Sequence, residues 1–251
     1  MQHRIVSRED WVAARKSFLK KEKELTRLRD RLSAELRELP WVRIDKTYVF
    51  ETAAGRRTLA ELFGDNSQLI VQHFMYAPEW EEGCVGCSFA IDHINAAYPH
   101  IRHHDVSYVA IARAPVDKLE AYRRRMGWDI PVASSGDSDF NYDFNVSYRP
   151  EALASGRVIY NFEEMETNEA SIADLPGASV FYKDEAGGIF HTYSSFGRGG
   201  EEVISAYMLL DATPKGRNET GPNGNLTDWV RRHDEYESAT RAAPCHGTAA
   251  E

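Results

Sequence analysis

Three cysteines in 251 residues are too few for a disulfide framework. A chain of this length can bury a core without covalent staples. No apolar run reaches the ~18 residues that a membrane span requires. No short apolar leader follows the opening Met-Gln-His-Arg-Ile-Val-Ser, so a cytoplasmic location is the expectation. Basic residues are in the minority, 30 Lys and Arg against 39 Asp and Glu, a net charge of -9. That balance argues against nucleic-acid binding as the main task, because a phosphate-binding surface needs clustered cations. Nucleotide-type phosphate loops are also missing. Gly197-Arg198-Gly199-Gly200 lacks both the strand-turn spacing before it and the Lys-Ser/Thr ending. No bound organic cofactor is implied. There is no internal repeat and no second composition regime. A content of 42% hydrophobic and 27% charged residues describes an ordinary globular chain.

Two of the three cysteines form a C-x-x-C pair, Cys84-Val85-Gly86-Cys87. The run Gln68 to Met75 before them reads as a buried strand, and Ser88 through Ala97 after them reads as a helix. A thiol at a helix start lies near unpaired backbone N–H groups and the positive end of the helix dipole. That setting stabilises the thiolate and lowers the pKa of the first cysteine. Glu79, Glu81 and Glu82 crowd the same loop, and nearby negative charge opposes a thiolate. Trp80 either roofs the site or anchors the loop.

Along the rest of the chain, Ser7 caps a long helix whose Leu25, Leu28, Leu32, Leu36 and Leu39 form one apolar stripe, ended by Pro40. The stripe predicts packing on the domain or on a sister subunit, a seam for a homodimer. Tyr48–Glu51 and Arg57–Leu59 predict a hairpin around Ala53-Ala54-Gly55, with a helical turn over Leu59–Gly64. Asp105–Ala112 reads as a second buried strand, and Pro115 opens a helix closed by Gly127. Ser134 to Asp143 is polar and turn-rich, and Val158–Phe162 suggests a short strand. Gly177–Asp184 and Ile189–Ser194 flank a Gly-Gly hairpin turn, and a helix is expected over Glu201–Leu210. Three parts follow: a helical extension over 1–40, a domain over 41–236 with a C-terminal docking segment, and a flexible tail over 237–251.

Strand, C-x-x-C helix, strand, helix, hairpin and last helix is the thioredoxin order. Several stretches match more closely: Val6–Trp11, Leu39–Val42, His73–Met75, Trp80–Cys84, Ser138–Phe144 and Trp229–Tyr236. Over nearly the whole chain, from about Val6 to Tyr236, these resemble the thioredoxin-like family catalogued as domain of unknown function 899. Its members are described as predicted dithiol–disulfide oxidoreductases. The resemblance implies an α/β fold, a three-layer sandwich of the peroxiredoxin-like variant with a mixed central sheet and an added long N-terminal helix. It implies Cys84 as nucleophile and Cys87 as resolving thiol, acting on a protein or small-molecule disulfide and recharged by a cellular thiol reductant. No nucleic acid and no membrane enters this reading. Thioredoxin-fold enzymes carry a cis-proline facing the pair. Leu175-Pro176 lies at the corresponding boundary, so Pro176, Gly177 and Trp80 are the substrate-groove candidates, with an ordinary trans turn as the alternative for Pro176. The run Phe74 to Trp80 is expected to shape the same groove.

Two other functions fit parts of the sequence. A peroxiredoxin-like peroxide reductase would use Cys84, with Arg113 at the end of the second strand, but the P-x-x-x-T-x-x-C pattern is absent. A thioredoxin-fold metal-binding or copper-delivery protein would need ligands beyond the two thiols, from among His73, His191, Cys245 and His246.

Overall fold

The computed structural model describes residues 3–167, 173–217 and 229–236. The chain divides into two compact units, Met1–Trp41 and Val42–Glu251. The first is built on one helix, α1 (Arg8–Arg37), which starts where the Ser7 hydroxyl accepts the Asp10 backbone N–H at 3.1 Å. No residue of α1 is buried, and its stripe from Trp11 through Leu36 remains 38% to 57% exposed.

The second unit begins with β1 (Val42–Arg43), β2 (Val49–Thr52), β3 (Gly55–Thr58) and the turn of helix α2 (Leu59–Leu62). Next come β4 (Gln68–His73), α3 (Val85–Arg102), β5 (Val106–Ala112), α4 (Val116–Arg125) and β6 (Val132–Ser134). Two short helices, α5 (Phe140–Asp143) and α6 (Pro150–Ala154), lead to a small ribbon of β7 (Arg157–Tyr160) and β8 (Glu163–Glu166). The chain closes with β9 (Gly177–Lys183), β10 (Ile189–Phe196), a 3-10 turn over Gly197–Val203 and α7 (Ser205–Asp211).

Eight strands make one mixed sheet in the order β1-β10-β9-β4-β5-β6-β2-β3. Its centre is diagnostic. β4 and β5 are parallel across the α3 crossover, β9 lies antiparallel on the other edge of β4, and β10 lies antiparallel beyond it. With α7 following, this is the thioredoxin fold. Alternation along β4 divides the core, as a strand period of two requires. Ile70 and Phe74 pack on one face with Ile91, Leu119 and Tyr122 of α3 and α4. Leu69 and Val71 pack on the other with Phe50, Phe63, Phe140 and Phe181. Full burial of each large apolar side chain contributes about 1.5–3 kcal/mol.

Several local expectations shift. The helix after the first cysteine begins at Val85, with Cys84 as its N-cap. β6 occupies the start of the polar stretch, and Phe140 within that stretch is fully buried. The predicted 201–210 helix is delayed to Ser205 by the 3-10 turn. No peptide bond among the described residues is cis, so Pro176 takes the trans alternative. The 237–251 tail lies outside the described residues.

Candidate functional site

The pair sits where β4 hands over to α3. The Cys84 backbone N–H donates to the Met75 carbonyl at 2.9 Å, which closes the loop between strand and helix. Gly83 makes that closure fit: a Cβ there would stand 2.4 Å from Cζ of Phe74 and 3.1 Å from Cε1 of Tyr122. The backbone just before Cys84 is thus pressed against two aromatic rings of the core. The loop itself is pinned from outside. Lys118 of α4 donates to the carbonyls of Pro78 and Trp80, and the Tyr76 hydroxyl donates to the Glu81 carbonyl at 2.8 Å.

Cys84 is half-buried and Cys87 is buried, and both are free thiols. The Cys84 pKa is drawn down to about 6. The largest cause is the hydrogen bond from the Cys87 thiol, and burial works against it. The backbone N–H groups of Cys87 and Gly86 add to the lowering, as does the positive charge of Arg232. Cys87 is pushed the other way. Its bond to the Cys84 sulfur leads, followed by burial and the Cys84 charge, and the Met75 backbone N–H opposes them. One sulfur is set up to hold negative charge and its neighbour to hold the proton.

The crowd of acids does not cancel this arrangement. Glu82 is ion-paired with both Arg125 of α4 and Arg232. Arg232 lies in the Trp229–Tyr236 segment. The sequence suggested a docking segment there, and its backbone is irregular with a turn at 233–235. Trp229 and Val230 pack against Phe89 of α3 and Tyr207 of α7. Arg125 donates to Asp234 at 2.7 Å, and His233 meets Asp92 of α3 at 2.9 Å.

Of the expected groove residues, Trp80 is half-buried and packs on the same core cluster as Cys84. Pro176 is half-buried, and its carbonyl accepts the Tyr160 hydroxyl at 2.8 Å. Gly177 is buried as the first residue of β9, and a Cβ there would stand 2.5 Å from the Phe196 ring. Phe74 is core rather than groove, because its ring fills the space beneath Gly83. Arg113 does not reach toward the pair as a free cation. It forms a two-point ion pair with buried Asp174, at 2.8 and 2.9 Å. His73 and His191 are joined through Ser179 and Ser194, in steps of 2.7 to 2.8 Å. Burial keeps His73 neutral, with its pKa lowered to about 3. Among the described residues no three His, Cys, Asp or Glu side chains converge as metal ligands. Cys245 and His246 lie outside the described residues.

Sequence reasoning missed Ser88, Tyr122 and Arg232, which surround the pair. Tyr122 carried only a helix-face signal, and Arg232 is remote in the chain, so no spacing rule connects either to Cys84.

Among solved structures, the chain aligns with a mutant of PrxQ from Xylella fastidiosa at 14% identity and a TM-score of 0.42. That alignment covers 64% of this chain and 88% of the other. It aligns with peroxidoxin BcpB of Mycobacterium tuberculosis at 13% identity and a TM-score of 0.40, covering 68% and 97%. It also aligns with a yeast mitochondrial 1-Cys peroxiredoxin at 15% identity and a TM-score of 0.38, covering 66% and 74%. No curated protein matches the chain. The family model described as "Bacterial protein of unknown function (DUF899)" matches residues 1–236, and the chain belongs to that family.

Proposed function

We propose that the chain is a thiol–disulfide oxidoreductase in which Cys84 attacks and Cys87 resolves. The observation that carries this reading is the placement of the two free thiols at the start of α3, half-buried Cys84 as its N-cap and buried Cys87 in its first turn. The Cys84 thiolate attacks one sulfur of a substrate disulfide. The substrate S–S bond breaks, a mixed disulfide forms, and the departing thiolate takes a proton. Formation of the mixed disulfide removes the Cys84 thiolate as acceptor of the Cys87 proton, the leading cause of the raised Cys87 pKa, and removes its charge as well. Cys87 then ionises and attacks the Cys84 sulfur, releasing the second substrate thiol. Two electrons pass to the substrate, the protein keeps a Cys84–Cys87 disulfide, and a cellular thiol reductant restores the pair.

Trp80 on the loop and Pro176 ahead of β9 border the approach in this reading. Gly177 leaves the start of β9 without a side chain beside Phe196. The substrate is a disulfide of a protein or a small molecule. The test is thiol titration in glutathione buffers of graded ratio, on wild type and Cys84→Ser. A reversible two-electron couple is expected in wild type and none in the variant. Its absence from wild type would defeat the proposal, and loss of one thiol to peroxide before any disulfide forms would favour peroxide reduction instead.

A further inference from the structure

The Trp229–Tyr236 segment lies far downstream of the redox pair in the chain, yet it places a cation beside that pair. The Arg232 side chain is only 12% exposed. Burying a guanidinium is costly unless its donors are satisfied. Here they are satisfied by the shell of Cys84. Nη2 donates to the carbonyl of Gly83, the residue before Cys84, at 2.8 Å. Nε donates to the Tyr122 hydroxyl at 2.9 Å. That hydroxyl is 2.8 Å from the Ser88 hydroxyl, which donates to the Cys84 carbonyl at 2.8 Å. Nη1 meets Glu82 at 2.9 Å and Glu235 at 2.8 Å. Two of the three anchors therefore hold the backbone on either side of the Cys84 sulfur. A tail latch with no bearing on the thiol would not need to reach the Gly83 carbonyl.

We propose that the 229–236 segment is a working part of the redox site, and that Arg232 is a positioning residue whose charge favours the Cys84 thiolate. This rests on the reading of Cys84 as the attacking thiol. The charged and titratable groups around Cys84 are few. The loop brings Glu79, Glu81 and Glu82, with Tyr76 bonded to the Glu81 carbonyl. α3 brings Cys87, and α4 brings Lys118, bonded to the Pro78 and Trp80 carbonyls, with Tyr122 and Arg125, the last engaged by Glu82 and Asp234. The segment brings Arg232, Asp234 and Glu235. On the Cys87 side stand Asp174, held by Arg113, and Tyr160, bonded to the Pro176 carbonyl. Lys118 bonds the loop backbone farther off, at Pro78 and Trp80, whereas Arg232 bonds the carbonyl of the residue next to Cys84.

The decisive experiment is the pH dependence of Cys84 alkylation by iodoacetamide in the reduced full chain, read by mass at the Cys84 peptide so that Cys245 does not interfere. Wild type, Arg232→Gln and Arg232→Lys are compared, with circular dichroism reporting the fold. Removing the charge is expected to raise the midpoint by about one pH unit, and Lys to restore most of that shift. A folded Arg232→Gln protein whose midpoint equals wild type overturns the proposal. Should Arg232→Gln lose its fold, Arg232→Lys decides. A midpoint near wild type sustains the role, and one raised by about a unit or more overturns it. The titration needs no disulfide chemistry, so the Arg232 role can fail with the dithiol couple intact, and the couple can be missing with the Arg232 role intact.

Discussion

A free cysteine thiol loses its proton near pH 8.5 in general, whereas Cys84 is held at about 6. Its alkylation rate should therefore rise as pH climbs through about 6 and level off by neutrality, read from iodoacetamide kinetics. The leading cause is the Cys87 thiol acting as donor. Cys87→Ala deletes that donor and should move the alkylation midpoint upward by about a unit or more, whereas Cys87→Ser keeps an O–H and should move it less. Equal midpoints in wild type and Cys87→Ala would mean that the helix N–H groups and Arg232 set the thiolate without the Cys87 thiol. At this scale the sequence was half legible. Type and spacing revealed the two cysteines, because a C-x-x-C at a helix start has few other uses. The same reading expected Glu79, Glu81 and Glu82 to oppose the thiolate. It could not foresee that Arg125 and Arg232 would neutralise Glu82, since both arginines arrive from other elements.

The elements around the site are fixed by steric fit more than by propensity. Gly83 is the hinge between β4 and α3, and nothing in its local sequence marks it as indispensable. Only the Phe74 and Tyr122 rings against its Cα exclude a side chain. Gly83→Ala is expected to cost about 1–3 kcal/mol, because the loop or the rings must shift to admit a methyl group. Urea unfolding measures this directly, and an unchanged midpoint would show that the Phe74 ring can yield. The hairpin and the strands β4, β5, β9 and β10 were readable because their apolar runs are bounded by Gly and charged turns. β6 was not. It is three residues long, follows Pro131, and looks polar because its Ser134 is buried by sheet pairing. Likewise, Val85 and Gly86 carry little helix signal, yet α3 begins there because the Cys84 carbonyl accepts the Ser88 N–H at 2.9 Å.

For the whole molecule, the depressed Cys84 pKa links redox state to stability. The folded value of about 6 lies below the ordinary value of about 8.5. Between those values the unfolded chain binds more protons than the folded one, so unfolding free energy rises with pH across that window. The contribution is lost as pH falls through about 6. Cys87 keeps its proton in the fold throughout, because its pKa is raised, and it opposes this gain only where the unfolded chain's Cys87 ionises, at about pH 8.5. Urea midpoints of the reduced protein should therefore increase from about pH 6 to about pH 8 relative to the Cys84–Cys87 disulfide form, and Cys84→Ser should remove that excess. A flat difference between the two forms would indicate that the thiolate is no better solvated in the fold than in the open chain.

The sequence by itself determined the order of the central elements, from the strand before Cys84 through the Gly-Gly hairpin, and the identity of the two thiols. Local periodicity, turn chemistry and a three-residue spacing suffice for those. Only the tertiary structure decided that Pro176 is trans, that Phe74 belongs to the core, that Arg113 is held by Asp174, and that Arg232 stands beside Cys84. Each of these depends on which remote side chain fills a given volume or balances a given charge, and long-range packing carries that information.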